Sequence, residues 1–196
     1  EILITVPLRA DKDWEMATNP QEPMRKTRDA LTGLADQPSA RETIARWQRE
    51  WPSDTISCPI QAMLITLGRI DNVNVAFGEL AGDGALVEVA QRIKHFAADE
   101  LESSNAWVAA RLNGGTFLLL ARQECSRERW QWLAEALADA IALPIASPEG
   151  EGSLRLWPRI ALMRVTEKDD PESVLERLAA VAEGMRESNR RRIDWS

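Results

Sequence analysis

Two apolar runs, residues 106–112 and 117–121, are separated by Asn113-Gly114-Gly115-Thr116. An Asn-Gly pair between apolar runs is the strongest short-range hairpin signal a sequence offers. A hairpin at this point commits the chain to antiparallel pairing, and the segments around it must supply both the remaining strands and their cover. Residues 60–67 (IQAMLITL) are short, apolar and partly β-branched, as expected of a buried strand. Residues 154–165 supply another strand and 193–195 a last short one.

The intervening segments carry a helical period. Pro38 and Ser39 open a helix with Ala40, Ile44, Trp47 and Trp51 on one stripe. A short helix near 73–77 precedes a long one over 84–98, which has Leu86, Val89, Ala90, Ile93 and Ala97 on one face. Ser126 caps a helix reaching about Ala142, with Trp130, Leu133, Ala134, Leu137 and Ile141 inward. Asp170-Pro171 starts another, with Val174, Leu175, Leu178, Val181, Ala182 and Met185 as its apolar face. The order α, β, α(α), β-hairpin, α, β, α, short β predicts an α+β fold. It is an α/β sandwich in which helices flank a mainly antiparallel central sheet.

Composition narrows the function classes. The 196 residues are enough for a core without disulfides or structural metal. A net charge of −7 argues against a nucleic-acid footprint and against acidic membrane surfaces. Cys58 and Cys125 lie far apart in no metal-ligand spacing and read as reduced thiols. His95 is the only histidine, which excludes a multi-histidine metal site, and it reads as a helix-surface residue. No stretch reaches the ~18 apolar residues of a membrane span, so no membrane contact by this domain and a cytoplasmic placement are expected. Residues 1–28 read as a leader or linker, since residues 11–23 mix charges with Pro20 and Pro23 without a period. The domain is then 29–196. A chain that starts at Glu1 is expected to be a piece of a longer protein.

Four segments, in order, resemble the GGDEF (diguanylate cyclase-like) family. Residues 29–34 (DALTGL) look like its D-x-L-T-G-L opening. Residues 64–83 (LITLGRIDNVNVAFGELAGD) are similar to its D-x-D-x-F-K-x-x-N-D-x-x-G-H-x-x-G-D stretch. Residues 111–117 (RLNGGTF) stand where it has R-x-G-G-D/E-E-F, and Met185, Arg186 and Arg190 sit like its A-K-x-x-G-R element. The resemblance implies a nucleotide-cyclase-like fold with a ferredoxin-like core and a place in bacterial cyclic di-GMP signalling. Active members of the family join two GTP-loaded domains, with carboxylates holding two magnesium ions on the triphosphate. Magnesium suits that chemistry because it takes oxygen ligands and neutralises the transferring phosphoryl group.

Position by position, the resemblance implies that those carboxylates are lost. The strand aspartate falls on Thr66 and its acidic neighbour two residues on falls on Gly68. The hairpin motif becomes Asn113, Gly114, Gly115, Thr116 and Phe117, with the metal-binding acid on Gly115 and the following glutamate on Thr116. An alternative register puts Thr116 and Phe117 at the acidic positions, again without a carboxylate. A hydroxyl and a glycine carbonyl cannot replace formal negative charges, so no metal, no cofactor and no cyclase activity are expected. Asn74 and Asp83 match the guanine-reading asparagine and aspartate, and Arg186 and Arg190 the phosphate-contacting residues, so nucleotide binding stays open. The plainer alternative is that Asp83 caps the long helix, Asn74 satisfies a loop, and the arginines are a basic helix end. The family's inhibitory R-x-x-D falls on Ser104 and Trp107, neither charged, and Trp107 reads as a packing residue.

No P-loop lysine follows Gly78 to Gly82, and one histidine allows no triad. Of eight tryptophans most are expected to pack, with Trp14, Trp51 and Trp195 available to an interface. The expected role is a non-catalytic regulatory, dimerisation or interaction module of a larger signalling protein. Its partner would be a protein or an adjacent domain such as a phosphodiesterase, or a second copy in a homodimer. The alternative is a GTP-binding receptor domain that controls that neighbour.

Overall fold

The computed structural model describes residues 27–50, 60–68, 70–101, 105–146, 153–188 and 192–196. Strand β1 (Ile60–Gly68) runs through the middle of a five-stranded sheet ordered β2-β3-β1-β6-β7. It pairs antiparallel with β3 (Thr116–Arg122) on one side and β6 (Trp157–Val165) on the other. Strand β2 (Trp107–Asn113) lies outside β3, and β7 (Ile193–Trp195) is parallel to β6. This is the mainly antiparallel sheet that the sequence predicts.

With strands on both sides and helices on both faces, β1 has no exposed side, and hence its unbroken apolar run. Its alternate residues face opposite layers. Met63, Ile65 and Leu67 join a cluster under α3 (Glu79–Glu100) and α4 (Arg127–Ile141). Ile60, Ala62 and Leu64 join a second cluster under α1 (Gln37–Arg49) and α5 (Pro171–Ser188). Trp130, fully buried on α4, donates its indole N–H to the Ala62 carbonyl at 3.3 Å, tying helix to strand.

The expected caps form. Ser126 accepts from Arg129 N at 3.1 Å, and Asp170 accepts from Ser173 N at 3.0 Å ahead of Pro171. Helix α1 begins one residue before Pro38, because Asp36 Oδ1 accepts from Ser39 N at 2.9 Å and fixes the start. Thr27 and Arg28 also bond to the domain, Thr27 to the Asp36 carboxylate and Arg28 to the Gly33 carbonyl.

Three segments differ from the sequence reading. The long helix starts at Glu79 rather than residue 84, with Gly78 at φ 82° just ahead of it, so Gly82 and Gly84 lie inside a helix. The short helix α2 (Ile70–Phe77) reaches back to Ile70. Residues 154–165 divide between two sheets. Strand β5 (Ser153–Leu154) pairs with β4 (Ile145–Ala146), and β6 starts only at Trp157.

Pro158 sits inside β6 without breaking it. Ile160 N donates to Arg192 O, so even-numbered residues of β6 turn their N–H away from β1. The proline's missing donor therefore faces the side that β7, paired only with residues 160–162, does not reach.

Candidate functional site

The candidate site is a cavity of about 580 Å³ where β1, the β2–β3 turn and β6 end against α5. Strand register builds it. Thr66 lies opposite Thr116 on one side and Arg159 on the other, so β1, the hairpin and β6 deliver neighbouring residues to one row. Thr66, Gly68, Asn113, Gly114, Gly115 and Thr116 all line the cavity, and Arg186 stands on its α5 wall. Phe117, the last residue of the motif, is fully buried beneath it and anchors the hairpin in the core.

The turn has the tight two-residue geometry expected of Asn-Gly-Gly-Thr. Asn113 pairs with Thr116 across Gly114-Gly115, and Gly114 takes φ 35°, a conformation that side chains resist. Leu67 N donates to Gly115 O at 2.9 Å, pinning the turn to the end of β1. Arg111 donates from Nε to Gly114 O at 3.0 Å and from Nη1 to Asp29 Oδ1 at 3.1 Å. Asp29 also accepts from the Thr32 N–H at 2.8 Å and the Thr32 hydroxyl at 2.7 Å. Burial works to raise the Asp29 carboxyl, but the Thr32 bonds and the Arg111 guanidinium outweigh it and hold it below the usual carboxylate range.

Two features occupy the space where the resemblance puts carboxylates. A Cβ on Gly68 would lie 3.3 Å from Arg159 Nη1, so a guanidinium stands beside that position. A Cβ on Gly115 would lie 3.1 Å from Ile70 Cγ2 and 3.3 Å from Leu67 Cβ, so apolar side chains close that one. Thr66 supplies a hydroxyl, 3.5 Å from the Arg159 carbonyl. The carboxylates lining the cavity come instead from α5. Glu183 pairs with Arg186 at 2.7 Å and Glu172 with Arg41 at 2.7 Å, and Glu176 also lines the cavity. Among the described residues no group of three or more His, Cys, Asp or Glu is placed to hold a metal ion. The residues present at Thr66, Gly68 and Gly115 do not fit a magnesium pair, which needs anionic oxygen ligands at those points.

Asn74 and Asp83 are not among the residues described as lining this cavity. Asn74 lies within α2, not in a loop, and Asp83 lies within α3, four residues past its start, so it is no cap. The two helices are nonetheless packed together there. A Cβ on Gly82 would stand 1.7 Å from Asn74 Oδ1, which brings the Asn74 amide against the residue beside Asp83. Arg186 fits the basic helix end, being largely exposed and paired at i,i+3. Arg190, Ser104, Cys58, Trp14 and Trp51 lie outside the described residues.

Elsewhere, Trp107 packs against the core, as its sequence context suggests. His95 is exposed on α3. Burial, opposed by Arg129 and reinforced by Glu124, raises the Cys125 thiol, which keeps it protonated and unreactive. Trp195 is held, with Arg127 stacked at 4.5 Å and Nε1 donating to Gln131 at 3.3 Å. The more exposed tryptophans are Trp132 and Trp157. Sequence reasoning missed Arg159 and Ile70. A lone arginine in an apolar strand is a weak signal, and only the β1–β6 register shows what it faces.

Residues 26–192 match the family described as "Diguanylate cyclase, GGDEF domain". The diguanylate cyclase SiaD of Pseudomonas aeruginosa, solved in complex with its activator SiaC, superposes with a TM-score of 0.73 at 20% identity. That match covers 86% of this chain and 61% of SiaD. The coiled coil and GGDEF domain of DgcB from Caulobacter crescentus, solved with cyclic di-GMP, gives 0.74 at 18% identity, covering 87% and 85%. The FimX GGDEF domain of Pseudomonas aeruginosa gives 0.71 at 16%, covering 85% and 98%. No curated protein sequence gives a significant match. No helix among the described residues is long and apolar enough to cross a membrane. With the family's match running from residue 26 through the hairpin to residue 192, this chain belongs to the GGDEF domain family of cyclic di-GMP signalling.

Proposed function

We propose that this domain is a non-catalytic GGDEF module that passes a signal by dimerising or by docking on a protein partner or neighbouring domain. The neighbour would be a domain of the same larger signalling protein, such as a phosphodiesterase. The observation that carries the reading is the Arg159 guanidinium standing 3.3 Å from the would-be Cβ of Gly68. The guanidinium stands at a position where magnesium needs an anionic oxygen, and Thr66, Gly68 and Gly115 supply none. Ile70 and Leu67 further close the space that an acidic side chain at Gly115 would need. The test incubates purified protein with GTP and magnesium and separates the products by chromatography. Cyclic di-GMP above a no-enzyme control overturns the proposal.

A second reading, a guanine-nucleotide receptor, is favoured by one observation: where α2 packs on α3 the Asn74 amide lies against Gly82, the residue before Asp83. An amide and a carboxylate together complement a guanine edge. Calorimetric titration with GTP, GDP and cyclic di-GMP separates the two. Micromolar binding abolished by Asp83→Ala supports the receptor, and no heat at high micromolar ligand leaves the interaction module.

A further inference from the structure

Among the described residues, strand β2 is the outer strand on one side of the sheet, and only part of its free edge is covered. Arg122 N donates to Ala106 O, which sets the alternation: even-numbered residues of β2 turn their backbone groups toward β3 and odd-numbered residues turn theirs outward. Ala35 takes two of the outward groups. Its N–H donates to Ala109 O at 3.1 Å and its carbonyl accepts from Arg111 N at 2.8 Å, an isolated parallel bridge. Gly33 does not extend that bridge, because its N–H goes to Asp29 O and its carbonyl accepts from Arg28. The next outward groups are the N–H of Ala109 and the carbonyl of Trp107, and both residues line a cavity of about 360 Å³ between α1 and α3.

The cavity has an apolar floor of Leu34, Pro38, Val108 and Trp107 and a cationic rim of Arg28, Arg46 and Lys94. Glu42, the one carboxylate among its described lining residues, is paired with Arg49 at 2.8 Å. The Trp107 Nε1 in this wall is buried without a hydrogen-bond partner. Arg28 and Lys94, together with Arg46, which reaches Glu50 at 3.8 Å, place cationic groups around one groove of a chain whose net charge is −7. An open edge, an apolar floor and a basic rim together describe a receptor for a strand with alternating apolar and acidic side chains. The backbone would complete the edge, apolar residues would face the floor, and carboxylates would meet the rim.

We propose that the β2 edge at Trp107–Ala109 is a docking site for an extended acidic peptide segment of a partner protein. This rests on the reading of the domain as an interaction module and supplies the chemistry of its partner. The groove shares no described lining residue with the hairpin cavity. A cyclase assay can therefore overturn the functional proposal without touching this one, and a binding assay can do the reverse.

The test uses fluorescence anisotropy on the full chain, with a fluorescein-labelled peptide of alternating glutamate and valine as probe and a lysine–valine peptide as control. Saturable binding of the acidic peptide alone is expected. The pair Arg46→Glu and Lys94→Glu should weaken it about tenfold or more. Ala109→Pro should abolish binding, since proline removes the outward N–H and leaves the β3 ladder intact. Should that variant unfold by circular dichroism, the same peptide N-methylated at alternate residues must fail to bind the wild-type chain. Equal binding of the lysine peptide, indifference to the charge reversals, or no saturation by the acidic peptide overturns the proposal.

Discussion

Arg111 Nη1 lies 3.1 Å from Asp29 Oδ1 and 3.3 Å from Oδ2, an ion pair between two residues 82 positions apart, with both side chains mostly buried. Because Arg111 also holds the Gly114 carbonyl, this pair connects the turn at the start of the domain to the signature hairpin. Removing either partner leaves the other mostly buried without its counter-charge, though Asp29 keeps its Thr32 bonds and Arg111 its bond to Gly114. Arg111→Ala and Asp29→Ala are each expected to lower the unfolding free energy by about 1–3 kcal/mol. The double variant should cost less than the two single losses added. Urea denaturation of the four proteins measures the coupling, and strict additivity contradicts it.

The same carboxylate gives a pH dependence with a defined sign. Its folded-state pKa is depressed, so its stabilisation is fully present above the unfolded-state value and is lost as pH falls through the folded one. The stability advantage of the wild type over Asp29→Asn should thus hold from neutral pH down to about pH 5. It should then shrink below about pH 4. Denaturation midpoints across that range measure it, and a gap that widens on acidification reverses the sign.

Gly82 and Gly84 share a helix and differ in surroundings. A Cβ at Gly84 meets nothing within 4 Å, so Gly84→Ala is expected to stabilise by up to about 1 kcal/mol through helix propensity and reduced unfolded-state entropy. A Cβ at Gly82 displaces the Asn74 amide, so Gly82→Ala should gain less. Thermal unfolding of the pair decides it, and an equal gain at both positions removes the packing argument.

Trp130 is the largest fully buried side chain, and its indole also bonds to the Ala62 carbonyl. Trp130→Ala is expected to destabilise by about 3–5 kcal/mol. Trp130→Phe should cost less, since most of the ring volume stays and only the indole hydrogen bond to the Ala62 carbonyl is lost. A loss under 1 kcal/mol for Trp130→Ala in chemical denaturation would show that the α4–β1 layer repacks freely.

Restoring a single acid should not restore a metal site. In Thr66→Asp the new carboxylate lies in the row of Arg159 and is expected to pair with that guanidinium. Magnesium should then leave the melting temperature of this variant unchanged, as in the wild type. A magnesium-dependent rise in the variant alone would show that Arg159 yields.

The legible part of the fold was the part written in local chemistry. The Asn113 to Thr116 turn, the Ser126 and Asp170 caps and the inward stripe of α4 follow from backbone and periodicity, and all are present. The start of α3 was not legible, because the apolar stripe that marks the helix begins only at Leu86 and does not reach back to Glu79. Only its packing partner explains Gly82, since the Asn74 amide fills the space a side chain would take. The break in residues 154–165 was hidden for a related reason: an apolar run does not say which of two sheets each part will join.

By itself the sequence determined the helices, the strands of the main sheet, their order, and the absence of carboxylates at Thr66, Gly68 and Gly115, because those depend on side-chain chemistry and short-range spacing. Tertiary structure alone decided what stands in their place. Arg159 is 91 residues from Gly68, and they meet only through the antiparallel register of β1 and β6, where Thr66 faces Arg159. The open edge of β2 is likewise invisible in the chain, since an outward N–H is defined by which neighbour the other side of the strand has taken.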